Sequence, residues 1–299
     1  MRLLIVGSNG QLGHDLMAQA RQRGWMPTGA DMPVCDITDR QSVERAIESA
    51  GPADVPVDIM INAAAYTAVD KAESEPEIAF AVNRDGAEVL ARAGRDHQIP
   101  LIHVSTDYVF DGRQTRPYRP TDPVNPQGVY GKSKAEGEAR IRQLWERHVI
   151  VRTAWLFGRH GANFVKTMIR LGKERDTIRV VDDQVGCPTY AGDLAGALLD
   201  AAADVTGKTD GWGTYHYCNE GAVTWYGFTR RILTLAGRYE RIRVGQILPI
   251  PTSEYPLPAP RPQYSVLDCT SFEADFGVTR RPWEAALQEM LAGIYGTAS

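Results

Sequence analysis

The N-terminal run "RLLIVGSNGQLG" constrains this chain more than any other stretch. Five residues, 2–6, are apolar enough for a buried strand, and a glycine loop follows at once. Gly7, Gly10 and Gly13 have the spacing G-x-x-G-x-x-G, and the segment 11–24 then carries apolar residues at helical spacing up to Gly24, a natural helix stop. A strand, a glycine turn and a helix in that order let the backbone approach a pyrophosphate, with free N–H groups and a positive dipole facing the anion. Asn9, Gln11 and Leu12 belong to the same candidate cradle.

The rhythm set by that unit continues through the first half. Strands are expected at 26–31, 57–65, 100–110 and 149–158, alternating with helices at 38–51, 76–98 and 130–148; Thr38 or Asp39 caps the first of these. Such alternation implies a parallel sheet covered on both faces, a doubly wound α/β fold of the Rossmann kind. The second half loses the rhythm. Residues 215–219 read as one more strand, and 247–263 is a Pro-rich but ordered loop. The expected division is a dinucleotide-binding domain at 1–155, with roughly 190–219 returning to it. A smaller substrate lobe then comprises 156–189 and 220–299.

Composition excludes several alternatives. A net charge of −4 lacks the basic surplus of a nucleic-acid binder. No apolar run approaches the roughly 20 residues that span a bilayer. The four cysteines, Cys35, Cys187, Cys218 and Cys269, lie far apart without CxxC spacing, which argues against a zinc site or disulfide framework and fits a reducing cytoplasm.

In dinucleotide folds an acid about 20 residues past the glycines binds the adenosine ribose. Asp31 lies 24 residues beyond Gly7, with no arginine directly after it. A carboxylate there repels a 2′-phosphate, so NADH is expected to be favoured or at least accepted alongside NADPH. Asp36 and Ile37 fall where the adenine would lie. Ala63, Ala64 and Ala65 follow a strand directly, and their small side chains let a cofactor close on the backbone. Ser105 and Thr106 end another strand, and Tyr130 and Lys134 stand one turn apart on the next helix. By itself so short a pattern reads as a solvated helix start, and only the rest of the chain turns it into an acid–base pair.

The segments "GSNGQLG", "INAAAYTAVDKAESEPE", "STDYVFDG", "YGKSKAEGE", "RTAWLFG", "NFVKTM", "DDQVGCPTYAGDLA" and "RPQYSVLD" occur in this order from residue 5 to about 268. In this the chain resembles the extended short-chain dehydrogenase/reductase family, most specifically its reductases of dTDP-linked 4-keto-6-deoxy sugars. The resemblance implies a catalytic set of Thr106, Tyr130 and Lys134. Tyr130 would donate a proton while NADH or NADPH delivers a hydride to C4 of dTDP-4-dehydro-L-rhamnose. Lys134 would lower the Tyr130 pKa and hold the nicotinamide ribose; Thr106 would bind the substrate oxygen. Asp107 and Trp155 are implied near the sugar, with Asn163 and Arg261 at the nucleotide end. The product would feed cell-surface polysaccharide such as O antigen. Another deoxysugar 4-ketoreductase, or a regulatory subunit that binds a dinucleotide without turnover, stands as the alternative.

Two departures are visible. Gly128 stands where the family commonly has Asn, with an expected effect on loop rigidity. The C-terminal segment 291–299 lacks the acid by which some family members bind magnesium between subunits, so no metal is assigned. A homodimer stays compatible with the sequence.

Overall fold

The computed structural model describes residues 1–51, 56–207 and 210–296. Residues 52–55 and 208–209, within two of the expected domain spans, and 297–299 of the C-terminal segment lie outside the described residues.

Strand β1 (Arg2–Val6) is buried on both sides. Leu3 and Ile5 pack on one layer, Leu4 and Val6 on the other, which is why its sequence is a continuous apolar run. Helix α1 (Gln11–Gln22) follows and stops at Gly24, whose φ of +73° suits glycine. Next come β2 (Met26–Ala30) and α2 (Arg40–Ala50). Asp39 caps α2 by accepting from the N–H groups of Gln41 and Ser42.

Strand β3 (Ile59–Asn62) is shorter than expected because the chain leaves the sheet at the three alanines. The expected helix at 76–98 is a composite. After the single turn α3 (Val69–Ala72), α4 (Pro76–Phe80) passes through a π-helical turn, Ala81–Asp85, into α5 (Gly86–Asp96). Asn83, within that turn, donates to Tyr66 O and Ser133 Oγ and accepts from Tyr66 N, so the widened turn ties down the loop after β3. Strand β4 (Leu101–Thr106), helix α6 (Val129–Leu144) and β5 (His148–Thr153) complete the series. The expected strand at 149–158 therefore ends at Thr153, with Leu156–Phe157 pairing elsewhere.

The parallel sheet runs Gly213–His216, β5, β4, β3, β1, β2. The strand expected at 215–219 is thus its edge. Helices α2, α5 and α6 cover one face; α1 and Ala191–Gly207 cover the other. Strand order reverses at β1, which opens a crevice at the carboxyl ends of β1 and β3. The remaining residues build a second cluster around Phe157, Phe228, Ile232, Trp283 and Met290, with two-stranded pairs such as Thr177–Val181 with Gln246–Ile250. The Pro-rich stretch contributes that last strand and a 3₁₀ turn, Thr252–Glu254. Among the described residues no helix is long and apolar enough to cross a membrane.

Candidate active site

The loop after β1 turns back on itself at Gly7, φ +81°. A Cβ there would sit 2.6 Å from the backbone nitrogen of Ala64, so this position locks the glycine loop against the alanine turn after β3. A Cβ on Gly13 would lie 2.1 Å from Gly7 O. Gly13 therefore seats α1 on the loop and does not line the cleft. Gly10 caps α1 without a side chain, and the first turn of α1 holds no acid. Its leading N–H groups are thus left for an anion.

From this cradle a cleft of about 1060 Å³ extends across the sheet edge. It brings together Gly7, Asn9, Gly10, Gln11, Leu12, Asp31, Asp36, Ile37 and the three alanines at one end, and Thr106, Asp107, Tyr130, Lys134 and Trp155 at the other. Asp31 braces the loop as it lines the wall: its carboxylate accepts from Asn9 N–H and Met32 N–H, each at 2.8 Å. Asp36 accepts from the backbone and hydroxyl of Thr38.

Helix α6 begins without a cap of its own at Gly128. Glu73 supplies one, accepting from Val129 N–H at 2.8 Å. A Cβ at 128 would sit 2.8 Å from that carboxylate oxygen, so the departure noted in the sequence makes room for it. Residues 130, 134, 138 and 142 form one column down α6.

Tyr130 stands half-buried at the cleft, edge-on to Tyr108 at 5.6 Å. Burial pushes its phenol up to about 12; Thr106 draws it back and the Asp107 carboxylate pushes it further. The expected lowering by Lys134 is therefore not found. Lys134, 1% exposed, turns its Nζ to Val104 O (2.8 Å) and His103 Nε2 (3.1 Å), and burial draws it down to about 8 against the pull of Glu138. Thr106 Oγ1 donates to Asp107 Oδ1 at 3.0 Å, and Asp107 Oδ2 is buried without a partner. Burial raises the Asp107 carboxyl to about 6 despite the nearby Ser265 and Thr106 hydroxyls.

Two implied nucleotide contacts are engaged elsewhere. Asn163 caps the helix Phe164–Glu174 by accepting from Lys166 N–H, and it donates to Gln11 Oε1 and Gly158 O. Arg261 forms a two-pronged pair with Asp70, at 2.8 and 2.7 Å. Neither lines the cleft. The cleft also contains a residue the sequence did not single out. Trp225 stacks face to face on Trp155, with ring centroids 3.4 Å apart. Trp155 holds a left-handed φ of +46°, and Gly186 leaves the space its indole fills: a Cβ there would lie 2.5 Å from the ring. Seventy positions separate the two tryptophans, so no local pattern joins them.

A doubly wound parallel sheet whose cleft carries a tyrosine and a lysine one helical turn apart has the architecture of the extended short-chain dehydrogenase/reductases. Residues 1–295 match the family model described as the RmlD substrate binding domain. A dTDP-4-dehydrorhamnose reductase of Aggregatibacter actinomycetemcomitans is 42% identical over 97% of this chain and 98% of its own. The crystal structure of such a reductase from Clostridium acetobutylicum superposes with a TM-score of 0.90 at 39% identity, covering 98% of this chain and 99% of the other. One from Bacillus anthracis, in complex with NADP, gives 0.89 at 36% identity over the same shares. The chain belongs to the dTDP-4-dehydrorhamnose reductase family and is an NAD(P)H-dependent oxidoreductase.

Proposed function

We propose that the chain reduces the C4 keto group of dTDP-4-dehydro-L-rhamnose to give dTDP-L-rhamnose, in the cytoplasm, for cell-surface polysaccharide. The observation that carries this is the convergence of Thr106, Tyr130 and Lys134 at one end of a cleft whose other end is a glycine-rich cradle. The cradle suits a dinucleotide: a side chain at Gly7 would block the alanine turn, and the uncapped start of α1 offers N–H groups to a pyrophosphate. Asp31 would take the adenosine ribose hydroxyls, and Asp36 and Ile37 would flank the adenine. When bound, the nicotinamide cofactor supplies the hydride.

The chain's own residues handle the proton. Tyr130 holds the keto oxygen by a hydrogen bond, Thr106 joins it by turning its hydroxyl hydrogen away from Asp107, and Tyr130 O–H protonates the oxygen as it becomes an alkoxide. An alkoxide is far more basic than a phenolate, so a phenol near 12 is acid enough and regains its proton quickly at neutral pH. An ammonium at Lys134 would stabilise the transient phenolate. Trp155 and Asp107 flank the sugar, and segments 156–189 and 220–299 form the substrate lobe. Arg261 could reach a nucleotide pyrophosphate only by releasing Asp70. Oxidation of NADH and NADPH, followed with the dTDP-4-keto sugar and its UDP and GDP counterparts, tests the reading. Turnover confined to the dTDP sugar supports it. Preference for another base reassigns the substrate, and cofactor binding without turnover replaces the enzyme by a regulatory subunit.

A further inference from the structure

Asn62 ends β3 and His103 stands opposite it on β4, register partners in the parallel pair. Both are 1% exposed, on the face that α6 covers. Three contacts link them to the cleft. Ala64 N–H donates to Asn62 Oδ1 at 3.0 Å. Asn62 Nδ2 lies 2.9 Å from His103 Nδ1, and His103 Nε2 lies 3.1 Å from Lys134 Nζ.

The directions of these bonds follow from the first. A backbone N–H can only donate, so it fixes which end of the Asn62 amide faces Ala64. The amide NH₂ then faces His103, and Nδ1 must accept. A neutral imidazole that accepts at Nδ1 carries its proton on Nε2. That N–H points at Lys134, whose nitrogen accepts it only as a neutral amine. The amine donates one hydrogen to Val104 O and keeps a second for the cleft. An ammonium would need Nε2 as acceptor, which moves the ring proton to Nδ1 and onto the Asn62 NH₂. Flipping the amide instead sets its NH₂ against Ala64 N–H. Either way one buried donor faces another.

We propose that Asn62 and His103 are positioning residues whose one-way hydrogen-bond chain, anchored on the alanine turn, favours the neutral amine of Lys134 over its ammonium form in the cofactor-free protein, so that its proton is released nearer neutrality. The proposal rests on Lys134 belonging to the active site. Burial acts in the same direction on both groups: it draws Lys134 to about 8 and holds His103, with Lys134 and His148 adding to the effect, well below the usual histidine range. The charge that opposes it is Glu138, one turn along α6, itself paired with Arg152 and Arg142. Tyr130 and Asp107 face the cleft on the other side. The consequence is that the ammonium form is lost closer to neutrality, and the basic limb of the pH–rate profile moves down with it.

Histidine ¹⁵N spectra of the full-length protein decide the tautomer without any substitution of Asn62, with the His103 signals assigned by their loss in His103→Gln. The expected result is a proton on Nε2; a proton on Nδ1 overturns the proposal. Asn62→Asp then reverses the chain, because a carboxylate accepts from both Ala64 N–H and His103 Nδ1–H and leaves Nε2 free to accept. Lysine ¹³Cε titration, with Lys134 identified by its absence in Lys134→Met, should show proton affinity at Lys134 rising tenfold or more in Asn62→Asp. An unchanged titration in a folded variant also overturns the proposal. Both readouts are independent of turnover, so failure of the proposed reaction would show separately, as an inactive wild type.

Discussion

Two sets of buried charge share helix α6 and the strands beneath it. Glu138 and Arg152 are 0% and 2% exposed, and Lys134 and Asp107 are 1% and 2% exposed. Burial is therefore the same, yet the consequences are opposite. Burial alone would push Glu138 up, but two hydrogen bonds from Arg152 (2.9 and 2.7 Å), one from Ser105 (2.6 Å) and one from Arg142 (3.1 Å) outweigh it and hold the carboxylate low. One turn nearer the cleft, Lys134 falls to about 8 and, on the neighbouring strand end, Asp107 rises to about 6, each away from its charged form. A saturated pair is architecture. A buried group short of partners is maintained at a cost, and that cost marks where substrate chemistry is expected.

Tyr130→Phe gives the largest expected effect on the cleft side. It removes one hydroxyl and leaves no cavity, so stability and cofactor affinity should stay near wild type. Turnover should fall by ~10²–10⁴, the usual contribution of a general acid. Steady-state kinetics beside a thermal melt would separate the two; turnover within a factor of a few of wild type would remove Tyr130 from the mechanism.

Glu138→Gln should do the reverse. It leaves the Arg152 guanidinium buried with its charge unmatched, and loss of one partner of a buried pair costs about 3–5 kcal/mol. Urea unfolding should show that loss, while kcat of the folded enzyme changes far less than in Tyr130→Phe. A stability loss below about 1 kcal/mol would mean that the pair contributes no more than a surface bridge.

Asp107→Asn tests the cost directly. Between about pH 4 and 6 the native state retains a proton at Asp107 that the unfolded chain, titrating near 3.8, has released. The native state then binds more protons, so stability falls as pH rises through that window. The amide escapes this. The variant should match wild type near pH 4 and exceed it above pH 6, by up to about 3 kcal/mol at about 1.4 kcal/mol per unit. Melting temperatures at the two pH values suffice, and a variant no more stable at pH 7.5 would mean that the carboxylate finds its partners in solution.

The same contrast explains what the sequence could convey. The glycine cradle and the Tyr130–Lys134 pair depend on spacings of three and four residues, and these are legible without a fold. So was the alternation that builds the sheet. The direction of the Tyr130 shift was not, because it depends on burial and on where Lys134 Nζ points, across to β4. Asn62 and His103 meet through strand register, and Trp225 meets Trp155 through packing of the C-terminal lobe. Asn163 and Arg261 suit a nucleotide by residue type. Their engagement with Gln11 and Asp70 spans 152 and 191 residues and has no local sign.

The smallest expected effect sharpens the comparison at the cradle end, where Asp31 belongs to neither set. It is half-buried; one oxygen accepts from Asn9 N–H of the glycine loop and the other from the N–H of its own neighbour, Met32. Asp31→Asn keeps one of those acceptors and removes the charge, so the fold should lose no more than about 1 kcal/mol. If the carboxylate faces the adenosine ribose, it repels a 2′-phosphate through partly screened surroundings, where two charges a few ångströms apart interact by about 1–4 kcal/mol. The ratio of kcat/KM for NADPH over NADH should then rise by roughly tenfold or somewhat more. The shift should shrink at high salt, since the Asp31 carboxylate is only half-buried and stays within reach of counterions. An unchanged ratio with a clear stability loss would show that Asp31 only braces the glycine loop. Its carboxylate would then join Glu138 on the structural side of the comparison.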